Sequence, residues 1–499
     1  MTAAETLVAW GLGLRLDDVP DEARAAALRH LLDGLGCAAA AAGQGERPEA
    51  ASQDGARDGA WPGAVTRAWP GGAAGETARE DGAARDDRVA EDDGVVRDGG
   101  AWAAVRVAGE MGGPPEATVF GTGRRVGAVA AALANGALVH ALDFDDTHAR
   151  GLVHATAPVL PVAFAVGEET GASGAEVLTA ALAGYEAICR LGGAVPHGFH
   201  ARGLHATSAC GPLAAALVAS RLYGLAHREA VAALGIAGSM SGGLLEFLNT
   251  GASTKQLHPG FAAQAGVLAA RLARAGASGP ATVVEGEHGL YGALLGRPGV
   301  DPFGDLGRGW EVGRITIKPY PACRLLHAAV DAAKVLRGLA AAEEVAEIEA
   351  EVHDDAAALV CGAGKERPRT PYAAKFSLAW CVAAMLVDGE LTARTFARPA
   401  RADVCDLAAR VRHVPSGHRG PAADQHGRLR ALLTDGRRVV AEVARGSGGP
   451  GDPRIDRLVT GKALENGLSE RAVNLALRLH ELPALDDLLK ELSVMEEPM

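Results

Sequence analysis

The 499-residue sequence predicts a mainly α protein, an all-helical bundle domain formed by both chain ends plus a smaller α+β lid domain. Three observations lead there. Apolar residues recur at helical spacing through 1–43 and again from about 125 to 300; strand-like alternation is confined to about 311–445; and 452–499 returns to helical spacing. Length points the same way, because a chain of this size exceeds one ordinary core.

In "VPDEARAAALRHLLDGLGCAAAAAG" (19–43), Pro20 suits a first helical turn and Asp21 and Glu22 complement the positive pole of the helix. Leu28, Leu31, Leu32 and Leu35 then form one stripe, with Gly43 as a stop. Residues 44–100 contain no Leu, Ile, Phe or Met, so they bury too little apolar surface to offset ordering and read as a disordered insertion. Residues 101–310 carry the main part of the helical domain, rich in small residues that let helices approach closely. In 311–445, "WEVGRITIKPYP" and "EVAEIEAEVHD" alternate like strands, and "LRALLTDGRRVVAEVA" is a hairpin turning at Asp435-Gly436. Helical patterns at 323–338 and 372–387 lie between them, and the helices of 452–499 return to the first domain.

A net charge of −12 and 4% aromatic residues disfavour nucleic acid and anionic membrane as partners. Seven scattered cysteines read as reduced thiols, and "MTAAETLVAW" lacks the basic start of a signal peptide, so a cytoplasmic protein is expected. The most apolar run, 155–167, holds two prolines and is too short to span a bilayer. Of 49 basic residues only seven are lysines, the first being Lys255, which makes each lysine informative.

"ALDFDDTH" (141–148) crowds Asp143, Asp145 and Asp146 at the negative end of an apolar run. If 126–147 is one helix, His140, Asp143, Phe144 and Thr147 share its inward face while Asp145 and Asp146 point elsewhere. Three readings follow: a solvated helix end, a buried carboxylate that needs a cation, or a metal site. Helical spacing spreads the carboxylates round the axis, which disfavours the metal. Downstream, "RGLVHATAPVLPVA" and "GLHATSACGPLAAALVAS" each set His-Ala-Thr before a helix, giving His154 and His205, with Thr156, Thr207 or Ser208 as caps of an anion-binding helix start. "STKQLHPG" places Lys255 and His258 before another helix, and "ITIKPYPACRLLH" puts Lys318 at a strand end ahead of Cys323, Arg324 and His327. Lys255 belongs to the helical part and Lys318 to the lid, so only closure brings both onto one ligand. No Walker A loop, dinucleotide fingerprint or H-E-x-x-H is present.

Taken in order, "LLDGLGCAAAAAG", "PEATVFGTGRRVGAVAAALANGALVHALDFDDTH", "HATAPVLPVAFAVGE", "GLHATSACGPLAAALVASRLYGL", "STKQLHPGFAAQAGVLAARLA", "IKPYPACRLLHAAVDA" and "AAKFSLAWCVAAML" resemble the MmgE/PrpD family. That family includes 2-methylcitrate dehydratases, cis-aconitate decarboxylases and iminodisuccinate epimerases. The resemblance implies a homodimer, a site between the domains, and no metal, iron–sulfur cluster or organic cofactor. It carries catalytic roles onto Asp143, His154 and His205, and substrate binding onto Thr147, Lys255, Lys318 and Cys323. Relative to decarboxylase members, the Asp143–His154 spacing is one residue longer, Cys323 replaces a histidine and Trp380 a tyrosine. The first expectation is therefore a cofactor-independent lyase that dehydrates a 2-methylcitrate-like di- or tricarboxylate by acid/base catalysis. An epimerase of an iminodisuccinate-like substrate or a cis-aconitate-type decarboxylase is the alternative, ahead of a non-enzymatic carboxylate-binding protein.

Overall fold

The computed structural model describes residues 1–43, 99–250 and 252–493. The expected insertion, 44–100, lies outside the described residues except at its end, where Gly100 opens the helix Gly100–Met111.

Helices dominate, and the long helix Asp21–Gly43 matches the stretch read from sequence. One apolar core gathers side chains from 3–42, 101–317 and 459–492, so the helices Ile455–Glu465, Glu470–Leu477 and Asp486–Ser493 pack with the chain's beginning. It takes in Val312, Ile315 and Ile317, and thus runs a few residues beyond 311. A second core draws on 320–441 together with Ala149. Phe247, Tyr372 and Phe376 form a small third cluster.

Glycines set the closest helix crossings in the first core. A Cβ on Gly136 in the helix Ala128–His140 would sit 2.7 Å from the Gly260 Cα in the helix Thr254–Arg274. A Cβ on Gly260 would sit 2.4 Å from the Leu133 carbonyl oxygen, nearer than real Cβ atoms come. This contact fixes how the end of one helix, His140, lies against the start of the other, Lys255.

The second core lies under a four-stranded sheet ordered Val411–Pro415, Val345–Val352, Gly427–Leu433, Arg438–Val443. The first pair is parallel and the other two antiparallel. The hairpin turns at Asp435-Gly436 as expected, with Gly436 at a φ of 87°. Alternate residues of Gly427–Leu433 are buried, the period-2 signature that made it legible. "WEVGRITIKPYP" is a strand over two residues only, Ile315–Thr316, preceded by the 3₁₀ turn Glu311–Arg314. That short strand pairs with Thr147–His148, which draws the segment after Asp143 alongside the segment before Lys318. No helix among the described residues is long and apolar enough to cross a membrane.

Candidate active site

The helix leading to the three aspartates stops at His140, not at 147. Asp143 has a φ of 52°, a left-handed conformation that short polar side chains tolerate best, so it does not share a helical face with His140 and Phe144. The chain turns here because buried ammonium groups take its carbonyls. Lys375 donates to the Leu142 carbonyl at 2.6 Å, Lys318 to that of Asp143 at 2.8 Å and Lys462 to that of Phe144 at 2.6 Å. Positive charge at the carbonyl end of a helix also offsets its dipole. Lys462 further reaches the Lys318 carbonyl at 3.0 Å, Asp33 at 2.7 Å and the face of Phe144, tying the helix Ile455–Glu465 to both segments of the site. Burial pushes the Asp33 carboxyl up to about 6, against the pull of Lys462.

All three aspartates are buried, which removes the solvated helix end. Oδ1 of Asp143 accepts from Lys255 at 2.9 Å and from Lys318 at 2.7 Å. Burial alone would raise its carboxyl; the two ammonium groups outweigh that and hold it well below the usual range. Lys318 in turn loses affinity for its proton through burial but regains more from Asp143, so its pKa lies above the ordinary value. Both lysines meet on one carboxylate in this structure.

Asp145 accepts from His140 Nδ1 through both oxygens, at 2.9 and 2.8 Å. Asp146 accepts from the Thr156 backbone N–H at 3.2 Å and from its hydroxyl, and lies 3.1 Å from His30. Asp146 therefore caps the helix Thr156–Thr170, a role the sequence reading gave to Thr156. Thr207 is no cap either: its hydroxyl accepts the His154 backbone N–H at 3.0 Å, and the helix Ala206–Leu222 begins at His205 without a side-chain cap.

His154 Nδ1 lies 2.8 Å from the Asp146 carbonyl, which can only accept, so Nδ1 carries the proton and Nε2 is the bare nitrogen of the neutral ring. Thr147 Oγ1 is 3.4 Å from the same Nδ1. His205 Nδ1 is 3.1 Å from His258 Nδ1. The rings of His140, His154 and His205 pack with centroids 4.5–5.7 Å apart. Burial lowers all of them, His154 and His205 well below the ordinary value; Lys318 and Lys255 add to the effect at His154, and His258 and Lys255 at His205. His258 is brought down to about 4 and His200 to about 3, again chiefly by burial. All five imidazoles are neutral at pH 7.

One cavity of about 60 Å³ collects every site residue read from the sequence: Asp143, Thr147, His154, His205, Lys255, Lys318 and Cys323. Burial, with the Asp143 charge, raises the Cys323 thiol, so it stays protonated. Sequence reading placed His140 on the inward face with Asp143 but gave it no role, turned Asp145 away from it, and missed His200, Lys375 and Lys462; for the two lysines the rarity of lysine was the one signal. Asp143 Oδ2, His140 Nε2 and His205 Nε2 are buried without a hydrogen-bond partner among the described residues, the condition expected where a ligand supplies the missing contacts. His140, His154 and His205 bring donor atoms within 4.8 Å of one another and could hold a metal ion, as could His140, Asp143, Asp145 and His154. The spacing that disfavoured a metal from sequence does not apply, since the helix ends before the aspartates. The second group is the poorer one, because two ammonium groups occupy Asp143 Oδ1.

Fold and pocket together define a mainly helical protein with a small mixed sheet and a buried cluster of carboxylate, lysine and histidine. Residues 98–302 match the MmgE/PrpD N-terminal domain and residues 320–469 the MmgE/PrpD C-terminal domain, and the chain belongs to this family of enzymes. Cis-aconitate decarboxylase of Aspergillus terreus is 31% identical over 362 residues, covering 66% of this chain and 73% of that protein. The Homo sapiens cis-aconitate decarboxylase is 31% identical over 287 residues, 53% of this chain and 56% of that one.

Proposed function

We propose that this chain is a decarboxylase of a cis-aconitate-like unsaturated polycarboxylate, working by acid/base and electrostatic catalysis. The observation that carries the reading is Asp143 held between Lys255 and Lys318 in a buried pocket of neutral histidines. The named activity of the relatives sets decarboxylation ahead of the dehydration first expected from the sequence.

Each ammonium has three N–H donors, and those not spent on Asp143 hold substrate carboxylates by charge-assisted bonds. Arrival of a multiply charged anion raises the depressed histidines, so one of them, His154 through Nε2, takes up a proton as the substrate binds. The carbon–carboxylate bond then breaks and CO2 leaves. Its electron pair moves through the adjacent double bond onto a remaining carboxylate, where the lysines stabilise the charge. His154 delivers its proton to carbon, and atoms and charge balance with one proton consumed per CO2.

Dehydration of a 2-methylcitrate-like acid needs the same parts plus an acid for the leaving hydroxyl. The protonated Cys323 thiol on the pocket wall favours this as the second reading. The test is NMR of products in D2O over a panel containing cis-aconitate, 2-methylcitrate and an epimerisable amino or imino dicarboxylate. Loss of CO2 supports the proposal; water loss without CO2 moves the function to dehydration, and inversion alone to epimerisation.

A further inference from the structure

Proton transfer by one histidine does not account for how three of them are held. His140, His154 and His205 bring donor atoms within 4.8 Å of one another. Each has its Nδ1 engaged outside that trio: His140 with the Asp145 carboxylate at 2.8 Å, His154 with the Asp146 carbonyl at 2.8 Å and His205 with His258 Nδ1 at 3.1 Å. A carboxylate or carbonyl behind Nδ1 is what fixes the ring and tautomer of a metal-binding histidine, leaving Nε2 bare. The Nε2 atoms of His140 and His205 are buried without a hydrogen-bond partner among the described residues, a costly state for a nitrogen that nothing binds. One acid or base needs one such nitrogen; three this close make a ligand set.

Nitrogen donors suit a borderline transition ion such as Zn2+, whereas Mg2+ and Ca2+ take oxygen ligands. With bonds of about 2.0–2.1 Å, a tetrahedral ion holds its nitrogens roughly 3.3–3.4 Å apart, so a small rotation of the rings completes the site. Lys255 and Lys318 oppose a dication, but both are bound to Asp143 Oδ1 and the Asp145 carboxylate lies behind His140, so two carboxylates offset two ammonium groups. The fourth ligand is then water or a carboxylate in the cavity that His154 and His205 line.

We infer that His140, His154 and His205 form a binding site for Zn2+ or a like divalent transition ion, and that this ion switches the enzyme off by taking His154 Nε2. The site rests on geometry alone; the inhibition rests on the decarboxylase reading, in which that nitrogen carries the proton. Proton and ion exclude each other there, because a histidine ligates only through a bare nitrogen. The ion takes no part in the reaction.

The probe is Co2+, whose visible absorption reports a nitrogen site of low coordination number, with Zn2+ as the competitor. Metal-free chain is titrated at neutral pH with buffered Co2+, and CO2 release from cis-aconitate is followed over the same range of free ion. The expected result is one ion per chain, displaced by Zn2+, with CO2 release falling along the binding curve. His140→Asn and His205→Asn each remove an Nε2 while keeping an amide N–H near the place of Nδ1, for Asp145 and for His258. Each variant, its fold checked by thermal melting, is expected to bind at least about a hundredfold more weakly, since even the outer partners of a metal-bound histidine are worth about 10- to 100-fold. Absorption that both variants lose, while no acid releases CO2, keeps the ion site and removes the decarboxylase reading. Three results overturn the inference: no Co2+ absorption in the wild-type chain, unchanged affinity in both variants, or undiminished CO2 release with the site full.

Discussion

Asp143 is held by contacts that a turn residue seldom has, and its two lysines are the residues to change. Lys255→Ala and Lys318→Ala are each expected to lower kcat/KM at least about a hundredfold, roughly 2.7 kcal/mol, because each removes a donor to substrate carboxylate. Both are in fact buried, but Asp143 keeps the other ammonium as its partner, so each substitution is expected to cost about 1–3 kcal/mol of stability, that of a lost buried hydrogen bond to a charged group. Kinetics must therefore be taken well below each variant's melting temperature, with exposed Lys334→Ala as the control expected to be near neutral. Wild-type kcat/KM in either pocket variant removes that lysine from the site. Lys255 and Lys318 were legible because lysine is rare here and precedes helices or ends a strand. Lys375 and Lys462 were not, since their partners, the carbonyls of Leu142 and Phe144, lie 233 and 318 residues away in sequence and leave no local pattern.

Helices whose apolar spacing is regular were readable, and so were the strands with a buried alternate face, such as Val345–Val352. The edge strand Val411–Pro415 was not, because it is half-buried or exposed along its whole length and carries Arg412, His413 and Pro415 in place of an apolar alternation. The stop at His140 was equally hidden: nothing local ends an Ala/Leu run there, and the turn depends on ammonium groups from distant elements. Close helix crossings were readable only as a richness in small residues, whereas their register depends on single glycines. Gly260→Ala would press a methyl onto the Leu133 carbonyl and force the helix Thr254–Arg274 away from Ala128–His140. A loss of about 1–3 kcal/mol is expected from denaturant midpoints, together with weaker activity as Lys255 moves off Asp143. An unchanged midpoint would show that the crossing relaxes freely.

At the scale of the molecule, five neutral histidines in and around one pocket link stability to pH. Each has a folded value below its unfolded value of about 6.5, so in acid the unfolded chain binds more protons. Their contribution is complete above about pH 6.5 and is lost as pH falls toward about 4 and 3, where His258 and His200 titrate. Asp33 and Glu186, raised by burial to about 6 and about 7, act oppositely, since the folded chain holds their protons longer. With five groups against two, denaturant midpoints are expected to fall from pH 7 to pH 4; a rise would mean that the imidazoles are not buried neutral. The same neutral histidines and paired lysines underlie the proposed reaction, in which a proton taken from solvent ends on carbon as CO2 departs. The most direct test is NMR of the product formed in D2O from cis-aconitate. The account predicts one CO2 released and one deuterium bound to a single carbon of each product molecule. A dehydrated or epimerised product, or a decarboxylated one without deuterium, would contradict it.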